Sequence, residues 1–525
     1  MQVLEQLRVA DVVREHAVGR PDVVALRCGA RSLTYAELDD RSNRLAQALL
    51  AAGVRRHDRV AHLDRTAPEI VELLFATSKI GAVTVPLNWR LAPAELETIV
   101  ADAGCTVMIA GPRYRSVARD IARAVPQRLE VIDTGDDYEQ RLEACDATDP
   151  GHRGAAGDVS VQMYTSGTTG LPKGVLTTQR NLAAAYLSAE VWAFDSRSVS
   201  LTPLPMFHIG GIGWAYLGLA SGATTILVSE FDAAEVVDLL ERERVTNAVF
   251  VPTILQMLAA VPRAAERDYS SLRSIAYGAS PITTPVLRAA LRTFRCPLFG
   301  VYGLTETTGG VVQLRPDDHD ADGPRQHLLQ SAGHPLPWVE MQIVDPGDGR
   351  ERGTGEVGEV WLRAPNVMAG YYNRPAETAA ALTPDGWLRT GDGGYRDEDG
   401  YLFLTDRIKD MIVSGGENVY PVEVEEILSQ HPDVAEVAVI GVADERWGET
   451  VKALVVLAPG AIGEADELVS FARERLAGYK LPRSIEFVSE LPRSAAGKVL
   501  KRELRARYGS SPSSAVGAGS ARARS

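Results

Sequence analysis

Short apolar segments alternate with helical stretches along the N-terminal half of the chain, and this alternation constrains the fold more than any other feature. The apolar segments lie at 60–63, 82–87, 106–110, 129–132, 248–251 and 275–277. Strands that alternate with helices usually pair in parallel and are covered by those helices. With 525 residues, 45% of them apolar, the chain can bury more than one core. The pattern predicts an α/β protein with layers of largely parallel sheets.

The spacing of the strands changes near residue 339. Short apolar segments then follow one another closely, at 341–344, 356–363 and 401–405. Closely spaced strands of this kind are typical of sheets joined by turns. This part of the sequence predicts a compact β-rich subdomain attached to the α/β layers.

A second unit begins near Lys409. Its pattern predicts a helix, two strands, a helix and a last strand, at 421–429, 434–442, 451–457, 464–477 and 485–488. About 100 residues is an ordinary domain size. After Tyr508 glycine, serine and alanine dominate, which is typical of disordered tails. We therefore divide the chain into an N-terminal domain over 1–408, a mobile α+β domain over 409–507 and a disordered tail over 508–525.

Charge and cysteine content narrow the class of function. The net charge is −14 and no long basic run occurs, which argues against nucleic acid as the main partner. The four cysteines stand too far apart for a C-x-x-C pair, so we expect free thiols in a reducing compartment, without a zinc site or a disulfide framework. The N-terminus carries charges among its apolar residues and shows no secretory signal. These features predict a cytoplasmic protein.

The uncharged stretch 209–229 is long enough to span a membrane. It contains five glycines and several hydroxyl side chains. Its pattern therefore fits a buried helix, a glycine turn and a buried strand over 225–228 better than a membrane helix. We expect no transmembrane span, and peripheral contact with a membrane is left open.

A polar loop rich in small residues follows the apolar run 159–163. It reads Tyr164-Thr165-Ser166-Gly167-Thr168-Thr169-Gly170-Leu171-Pro172-Lys173-Gly174-Val175. Glycines let backbone N–H groups approach an anion, hydroxyls add donors, and Lys173 adds a positive charge. In the common P-loop the Gly-Lys pair is followed by Ser or Thr, whereas Gly174 follows the lysine here. The loop predicts a nucleotide-phosphate site outside the simple P-loop NTPases.

Lysine is scarce, since only seven of the 55 basic residues are lysines. A lysine retained against this background points to a position that needs a compact ammonium group, because a planar guanidinium is not equivalent to it. Lys173, Lys409 and Lys498 all lie inside short polar motifs. These three lysines are therefore candidates for functional roles.

Seven further motifs follow the loop along the chain. They are Pro205-Met206-Phe207-His208, Tyr277-Gly278-Ala279-Ser280-Pro281, Tyr302-Gly303-Leu304-Thr305-Glu306, Trp387-Leu388-Arg389-Thr390-Gly391-Asp392, Asp406-Arg407-Ile408-Lys409-Asp410, Ser414-Gly415-Gly416-Glu417-Asn418-Val419-Tyr420-Pro421 and Leu491-Pro492-Arg493-Ser494-Ala495-Ala496-Gly497-Lys498. In this order they resemble the AMP-forming acyl-CoA synthetases of the adenylate-forming enzyme superfamily, over roughly residues 10–507. The resemblance is strongest to the fatty-acid–CoA ligase branch.

The resemblance implies a two-step reaction that uses ATP, Mg²⁺ and CoA. A carboxylate attacks the α-phosphate of ATP to give an acyl adenylate and pyrophosphate, and a thiol then displaces AMP. The first step brings an anion to a polyanion, so positioning and charge neutralisation must dominate its catalysis. By resemblance Glu306 is the magnesium ligand, since hard oxygen donors suit that ion. By the same resemblance, Thr165 is a second ligand of the magnesium ion, and Thr305 hydrogen-bonds the α-phosphate.

The resemblance assigns further residues to the nucleotide. Tyr302 offers its ring to the adenine, Asp392 accepts hydrogen bonds from both ribose hydroxyls, and Arg407 contacts ribose or phosphate. The residues that hold the phosphates are Thr165, Ser166, Gly167, Thr168, Thr169, Gly170 and Lys173. The backbone edge beside the adenine comes from Gly278, Ala279 and Ser280, with Gly303 next to Tyr302.

In the family the small domain serves both steps. By resemblance Lys498 reaches into the active site and neutralises charge between the carboxylate and the α-phosphate during adenylation. The domain then rotates about a hinge, which corresponds to Lys409 here. The path of the pantetheine arm is lined by Gly415, Gly416 and Glu417. The family's frequent Ser or Thr before the final Gly-Lys is Ala496 here, which changes the hydrogen bonding of that loop.

The acid itself is less well specified. Where amino-acid-activating relatives carry an aspartate for the substrate's α-amine, this chain carries His208, so an amino acid is disfavoured. His208 is expected to border the acyl carboxylate, and the apolar segment 209–219 favours an apolar tail. The leading interpretation is a fatty-acid–CoA ligase. The alternatives are an acyl-AMP ligase that loads a carrier protein, an aromatic or polycyclic acid–CoA ligase, and a catalytically silent AMP- or acyl-binding regulator.

Overall fold

The structure is a computed structural model. It describes residue 4 and residues 6–165, 172–280, 282–407, 410–414, 417–444, 447–493 and 499–509, with the backbone alone at 406, 407, 413, 417, 418 and 448. Residues 510–525 of the predicted tail and the domain boundary at Lys409 lie outside the described residues, so those two predictions stay predictions, although Tyr508 itself ends a helix.

The strands of the large domain are, in chain order, β1 (Val24–Cys28), β2 (Arg31–Thr34), β3 (Arg59–Leu63), β4 (Val83–Pro86), β5 (Val107–Ala110), β6 (Glu130–Asp133), β7 (Val159–Thr165), β8 (Lys173–Thr178), β9 (Val199–Thr202), β10 (Thr224–Leu227), β11 (Asn247–Phe250), β12 (Ser274–Gly278), β13 (Leu298–Leu304), β14 (Gly309–Leu314) and β15 (His334–Pro335). The β-rich part adds β16 (Glu340–Val344), β17 (Gly358–Arg363), β18 (Leu388–Arg396) and β19 (Leu402–Arg407). The small domain has β20 (Ile412–Ser414), β21 (Glu417–Val419), β22 (Val434–Asp444), β23 (Gly448–Leu457) and β24 (Ser484–Phe487).

The α-helices are α1 (Val9–Gly19), α2 (Tyr35–Ala51), α3 (Pro68–Ile80), α4 (Pro93–Ala103), α5 (Arg115–Ala124), α6 (Asp136–Glu143), α7 (Gln179–Tyr186), α8 (Ser188–Val191), α9 (Ile209–Ala220), α10 (Ala233–Arg242), α11 (Pro252–Ala259), α12 (Thr284–Phe294), α13 (Pro375–Ala381), α14 (Pro421–Ser429), α15 (Ala465–Arg473) and α16 (Lys501–Tyr508). Local sequence sets their ends. Helix α2 begins at a capping box, in which Thr34 and Glu37 each bond the other's backbone N–H. Helix α3 begins with Pro68 and ends at Gly81, whose φ is +71°.

Two sheets form the layers of the large domain. The first has the order β6-β5-β3-β4-β7-β8 and is parallel except for the β7–β8 hairpin. The second has the order β15-β14-β13-β12-β11-β9-β10-β1-β2, with parallel pairs from β13 to β1. Its outer strands β2, β14 and β15 are antiparallel. The predicted α/β layers are confirmed, and hairpins add the antiparallel edges.

The main core lies between these two sheets. Helix α3 is buried along all of its 13 residues, because it packs between the two sheets. The same apolar cluster contains Val60 and Ile109 from one sheet, Leu26 and Leu227 from the other, and Phe75 from α3. Its three ionisable side chains, Glu69, Glu72 and Lys79, are each paired with an opposite charge, from Arg31, Arg41 and Asp39 respectively, which allows them to be buried with the apolar residues.

The predicted β-rich subdomain and small domain are both present. Strands β16 to β19 form an antiparallel sheet in chain order. The small domain has the order β21-β20-β23-β22, with β24 beside β23. Its second helix is shorter than the predicted 464–477, since α15 ends at Arg473 and a turn of 3₁₀ helix follows at Gly478–Lys480. The Thr284 hydroxyl donates to Glu426 of α14 at 2.9 Å, which joins the two domains.

The stretch 209–229 folds as the sequence predicts. It forms helix α9, a turn at Gly222 with a φ of +72°, and the buried strand β10. In the part of the chain that the structure describes, no helix has the length and apolar character needed to cross a bilayer.

A buried histidine in β3 is expected to make the stability of the large domain depend on pH. Burial lowers the pKa of His62 from 6.5 to about 3. Between these values the unfolded chain binds a proton that the folded His62 does not, so stability falls as pH falls, by about 1.4 kcal/mol per pH unit. We expect His62→Leu to move the midpoint of acid unfolding, followed by circular dichroism, to lower pH. The exposed His327 supplies the control His327→Gln, and equal midpoints for both variants and the parent would contradict this role.

Candidate functional site

The predicted phosphate loop is carried by the β7–β8 hairpin. Thr165 ends β7, Lys173 begins β8, and the two residues pair across the hairpin. Residues 166–171 between them, including the predicted Ser166, Gly167, Thr168, Thr169 and Gly170, lie outside the described residues. The hairpin therefore fixes Thr165 and Lys173 at the two ends of the loop.

Glu306 is held beside the hairpin by a tyrosine. It lies in the 3₁₀ turn Thr305–Thr307 that follows β13. The Tyr371 hydroxyl donates to Glu306 Oε1 at 2.8 Å, and the Met368 N–H donates to the Glu306 carbonyl at 2.8 Å. Lys173 Nζ lies 5.1 Å from the centre of the Tyr371 ring. Tyr371 thus gathers a cation and a carboxylate that are far apart in sequence.

Tyr371 is the main site residue that the sequence analysis missed. It stands in Gly370-Tyr371-Tyr372-Asn373, which contains none of the residue patterns associated with catalysis. The available signal was a pair of aromatic residues in a polar connection between two strands. An aromatic pair of this kind is more often a packing feature, and only the fold places Tyr371 next to Glu306.

A second group joins Tyr302 to Asp392. The Tyr302 hydroxyl donates to Asp392 Oδ2 at 2.8 Å. Asp392 follows Gly391, whose φ is +73°, and the Gly391 N–H donates to Glu359 Oε1 at 2.9 Å. Asp392 also pairs with Arg407 across β18 and β19. The structure thus brings together three residues predicted for the nucleoside, with Arg407 described by its backbone alone.

The backbone edge beside Tyr302 is tightly packed. A Cβ on Gly278 would lie 2.1 Å from the Val301 carbonyl oxygen, and one on Gly303 would lie 2.0 Å from that of Gly309. Ala279 has a φ of +70°, a conformation that costs energy in any residue other than glycine. These residues lie at the carboxyl ends of β12 and β13, where ligands bind in open α/β sheets. Ser280 follows and is half-buried.

His208 comes from a different element. It is the residue immediately before α9 and has extended backbone. Its ring centre lies 4.5 Å from that of Phe207, which in turn lies 6.3 Å from Trp89 in an edge-on contact. His208 therefore lies directly before the apolar helix α9, and its predicted place beside the acyl carboxylate stays a prediction.

Five predicted site residues of the small domain and its boundary have no described side chain. Lys409, Gly415, Gly416 and Lys498 lie outside the described residues, and Glu417 is described by its backbone alone. Their roles therefore stay predictions from the resemblance.

A charged network supports the hairpin from behind. The Tyr164 hydroxyl donates to Asp102 Oδ2 at 2.7 Å, and Arg374 Nη2 donates to Asp102 Oδ1 at 2.9 Å. Burial and the Asp102 carboxylate raise the pKa of Tyr164, so its hydroxyl stays protonated and donates. Tyr164 precedes Thr165, and Arg374 lies three residues after Tyr371. Asp102 therefore holds both sides of the Lys173–Glu306 group in position.

We expect Asp102→Asn to weaken ATP use without abolishing it. The change removes a charge-assisted hydrogen bond and leaves a similar shape, so the KM for ATP should rise about 10-fold while kcat changes less. Pyrophosphate release at varied ATP measures both constants. Glu97→Gln, on the same helix, is the control. Unchanged kinetics for Asp102→Asn would remove it from this positioning role.

The donor groups at this site suit the magnesium ion that the resemblance implies. Glu306 offers a carboxylate and Thr165 a hydroxyl, and both are hard oxygen donors. Within the described ranges there is no cluster of three or more His, Cys, Asp or Glu that could hold a metal. A nucleotide-bound Mg²⁺ needs only one or two protein oxygens, since phosphates and water supply the others. A single carboxylate next to Lys173 fits that requirement.

Comparison with known proteins places the chain in a family. Residues 13–372 match the family model described as AMP-binding enzyme, and residues 423–498 match that of the AMP-binding enzyme C-terminal domain. The fatty acid–[acyl-carrier-protein] ligase ScoC of Streptomyces coeruleorubidus is 42% identical, over 94% of this chain and 95% of its own length. A feruloyl-CoA synthase from an Amycolatopsis species is also 42% identical, over 93% and 96%.

A solved structure is also similar to this chain over nearly its whole length. The ATP-bound MatB of Rhodopseudomonas palustris superimposes with a TM-score of 0.88 at 30% identity, covering 96% of this chain and 99% of MatB. The first matched region, 13–372, contains the β7–β8 hairpin, Tyr302, Glu306 and Tyr371. The chain belongs to the AMP-binding enzyme family, the AMP-forming acid ligases of the adenylate-forming superfamily.

Proposed function

We propose that this protein uses ATP to activate a carboxylic acid with an apolar tail and transfers the acyl group to CoA. The observation that carries the proposal is the arrangement of two polar groups at one edge of the sheets. The Lys173–Tyr371–Glu306 group offers a cation and a carboxylate for phosphates and Mg²⁺. The Tyr302–Asp392 group offers a ring and a carboxylate for a nucleoside.

The adenylation step follows from the charges at this site. A carboxylate oxygen of the acid attacks the α-phosphorus of ATP, and pyrophosphate leaves. Lys173 and the N–H groups of the loop offset the phosphate charge, and Thr305 donates to the α-phosphate. Asp392 holds the ribose, with Tyr302 orienting its carboxylate. Mg²⁺ held by Glu306 and Thr165 would offset further charge on the phosphates.

The second step transfers the acyl group to the thiol. The sulfur attacks the acyl carbon, the bond to the phosphate oxygen breaks, and AMP leaves. We assign Lys498 to the first step, Lys409 to the rotation between steps, and Gly415, Gly416 and Glu417 to the pantetheine path. The link from Thr284 to Glu426 is one contact that such a rotation would have to break.

A carrier protein is the alternative acceptor. It is favoured by the 42% identity to ScoC, a fatty acid–[acyl-carrier-protein] ligase. The feruloyl-CoA synthase at the same identity favours CoA. The two relatives also differ in acid, a fatty acid in one case and an aromatic acid in the other.

The test measures AMP, pyrophosphate and thioester formation from ATP, Mg²⁺ and a panel of linear, aromatic and polycyclic acids, with CoA, with a phosphopantetheinylated carrier protein, or with neither. A CoA thioester supports the proposal. A carrier thioester without a CoA thioester establishes the alternative. If no acid in the panel gives pyrophosphate, the ligase proposal is wrong and a regulatory role takes its place.

A further inference from the structure

Strand β18 leaves its regular pairing with β17 at the residues that carry the nucleoside carboxylate. Glu359 of β17 pairs with Gly393 of β18, and two residues further along β17, Trp361 pairs with Arg389. One residue of β17 therefore opposes three residues of β18, which are Thr390, Gly391 and Asp392. Extra residues of this kind form a β-bulge, which bends the strand and can re-aim a side chain beside a site. We call residues 390–392 the ribose bulge.

Two backbone N–H groups of the ribose bulge bond to side chains. The Gly391 N–H donates to Glu359 Oε1 at 2.9 Å, and the Asp392 N–H donates to Thr390 Oγ1 at 3.1 Å. The Thr390 hydroxyl in turn donates to the Val360 carbonyl at 2.7 Å. Strand β17 therefore holds the bulge through one carboxylate and one carbonyl. Since backbone N–H groups need a partner in a folded protein, the conformation of the bulge depends on Glu359.

The Glu359 carboxylate is itself fixed by a second donor. Trp361 Nε1 donates to Glu359 Oε2 at 2.9 Å, and the Arg389 guanidinium lies 5.0 Å from the centre of the Trp361 ring. Each oxygen of the carboxylate thus accepts one N–H, and hydrogen bonds to an ionised acceptor are stronger than neutral ones. A glutamine at this position has a single oxygen, so it could satisfy only one of the two donors in the same way.

Asp392 is held from two sides of the molecule. The bond from Gly391 to Glu359 fixes the backbone directly before Asp392, at a φ of +73° that glycine favours. The Tyr302 hydroxyl donates to Asp392 Oδ2 at 2.8 Å and so fixes the side chain. Tyr302 belongs to the nine-stranded sheet, whereas Glu359 belongs to the four-stranded sheet. Without the Glu359 bond the bulge can shift, and the Asp392 carboxylate shifts with it.

We propose that Glu359 is a positioning residue for the ribose, which holds Asp392 where its carboxylate accepts a hydrogen bond from the 2′-hydroxyl of the nucleotide. This inference rests on the nucleotide-binding part of the proposed function. Glu359 acts through Gly391 and Asp392 and is assigned no contact with the nucleotide. A ligand without the 2′-hydroxyl lacks the bond that Glu359 maintains, so Glu359 strengthens the preference for ribonucleotides over 2′-deoxyribonucleotides.

The test measures binding of AMP and 2′-deoxy-AMP to the full-length protein by isothermal titration calorimetry. We expect the parent protein to bind AMP about 10-fold more tightly, because one hydrogen bond to a charged acceptor separates the two ligands. Glu359→Gln should weaken AMP binding about 10-fold and 2′-deoxy-AMP binding about 2-fold, so the preference should fall about 5-fold. The ratio of kcat/KM for ATP to that for 2′-deoxy-ATP, measured by pyrophosphate release, should fall in the same way.

Glu340→Gln is the matched control. Glu340 is an exposed carboxylate on β16 of the same sheet, where it pairs with Arg363, so its loss should leave the preference unchanged. A second control uses Asp392→Ala, which removes the ribose carboxylate itself. Adding Glu359→Gln to that variant should change the preference no further, because the two residues act as one unit. If Glu359→Gln does not fold, Trp361→Phe removes only the indole donor and should lower the preference about 2-fold.

Three outcomes would overturn the inference. One is an equal weakening of AMP and 2′-deoxy-AMP in Glu359→Gln, which would indicate a general effect on the fold. Another is an unchanged preference in that variant, and the third is the same fall in Glu340→Gln. If the parent protein binds AMP with the expected preference but no acid gives pyrophosphate, the ligase proposal fails and the role of Glu359 stands. If the parent protein binds neither nucleotide, both are wrong.

Discussion

Replacing Glu306 with glutamine is expected to slow acyl-adenylate formation by about 100-fold or more. Glutamine keeps the size of the side chain and can still accept the hydrogen bond from Tyr371, but it lacks the negative charge that a magnesium ligand supplies. The half-reaction is measured by pyrophosphate release from ATP and acid without CoA. Raising the Mg²⁺ concentration should recover part of the lost rate.

Two further variants make the Glu306 result specific. Tyr371→Phe removes only the hydrogen bond to Glu306 and should cost about 5-fold to 10-fold in the same assay. Glu398→Gln changes an exposed carboxylate and should have no effect. If Glu306→Gln retains the parent rate and the parent dependence on Mg²⁺, the ion is bound elsewhere.

Replacing Lys498 with alanine is expected to separate the two half-reactions. Adenylation should fall by about 100-fold to 1,000-fold, because a positive charge between the carboxylate and the α-phosphate is lost. Thioester formation from a synthetic acyl adenylate and CoA should be largely retained, since that step does not bring two anions together. Adenylation is followed by product analysis without CoA, and thioester formation by product analysis without ATP.

The neighbouring lysine provides the control for Lys498. Lys501 pairs with Glu425 at 2.9 Å inside the small domain, so Lys501→Ala should affect both half-reactions little. Equal loss of both half-reactions in Lys498→Ala would instead indicate a general effect on the small domain. In that case the role assigned to Lys498 would be wrong.

Much of the architecture could be predicted from the sequence because strands and helices depend on nearby residues. The apolar runs predicted at 60–63 and 106–110 correspond to β3 and β5, and the helix predicted at 421–429 is α14. The antiparallel edges of the large sheet were not predicted, because a strand's partner is not encoded in its own pattern. The end of α15 was also misplaced, since apolar positions continue through the following turn.

The few lysines of the chain show what composition alone can and cannot predict. Lys173 lies in the candidate site, as expected from its loop. Lys79 is another of the seven lysines, but it is fully buried. Its Nζ donates hydrogen bonds to Asp39, Ser42 and Asn43. Scarcity therefore marks positions that need an ammonium group, and the surrounding structure decides whether the need is catalytic or structural.

The sequence by itself determined the family, the order of the motifs and the residue types available for phosphates, nucleoside and acid, because each motif is a short continuous segment. Only the tertiary structure decided which of these segments meet. Tyr302 and Asp392 are 90 residues apart, and Asp102 and Arg374 are 272 apart. Tyr371 reaches Glu306 only after sheets and helices have packed. Such contacts depend on strand order and register, which are set by the packing of the whole domain.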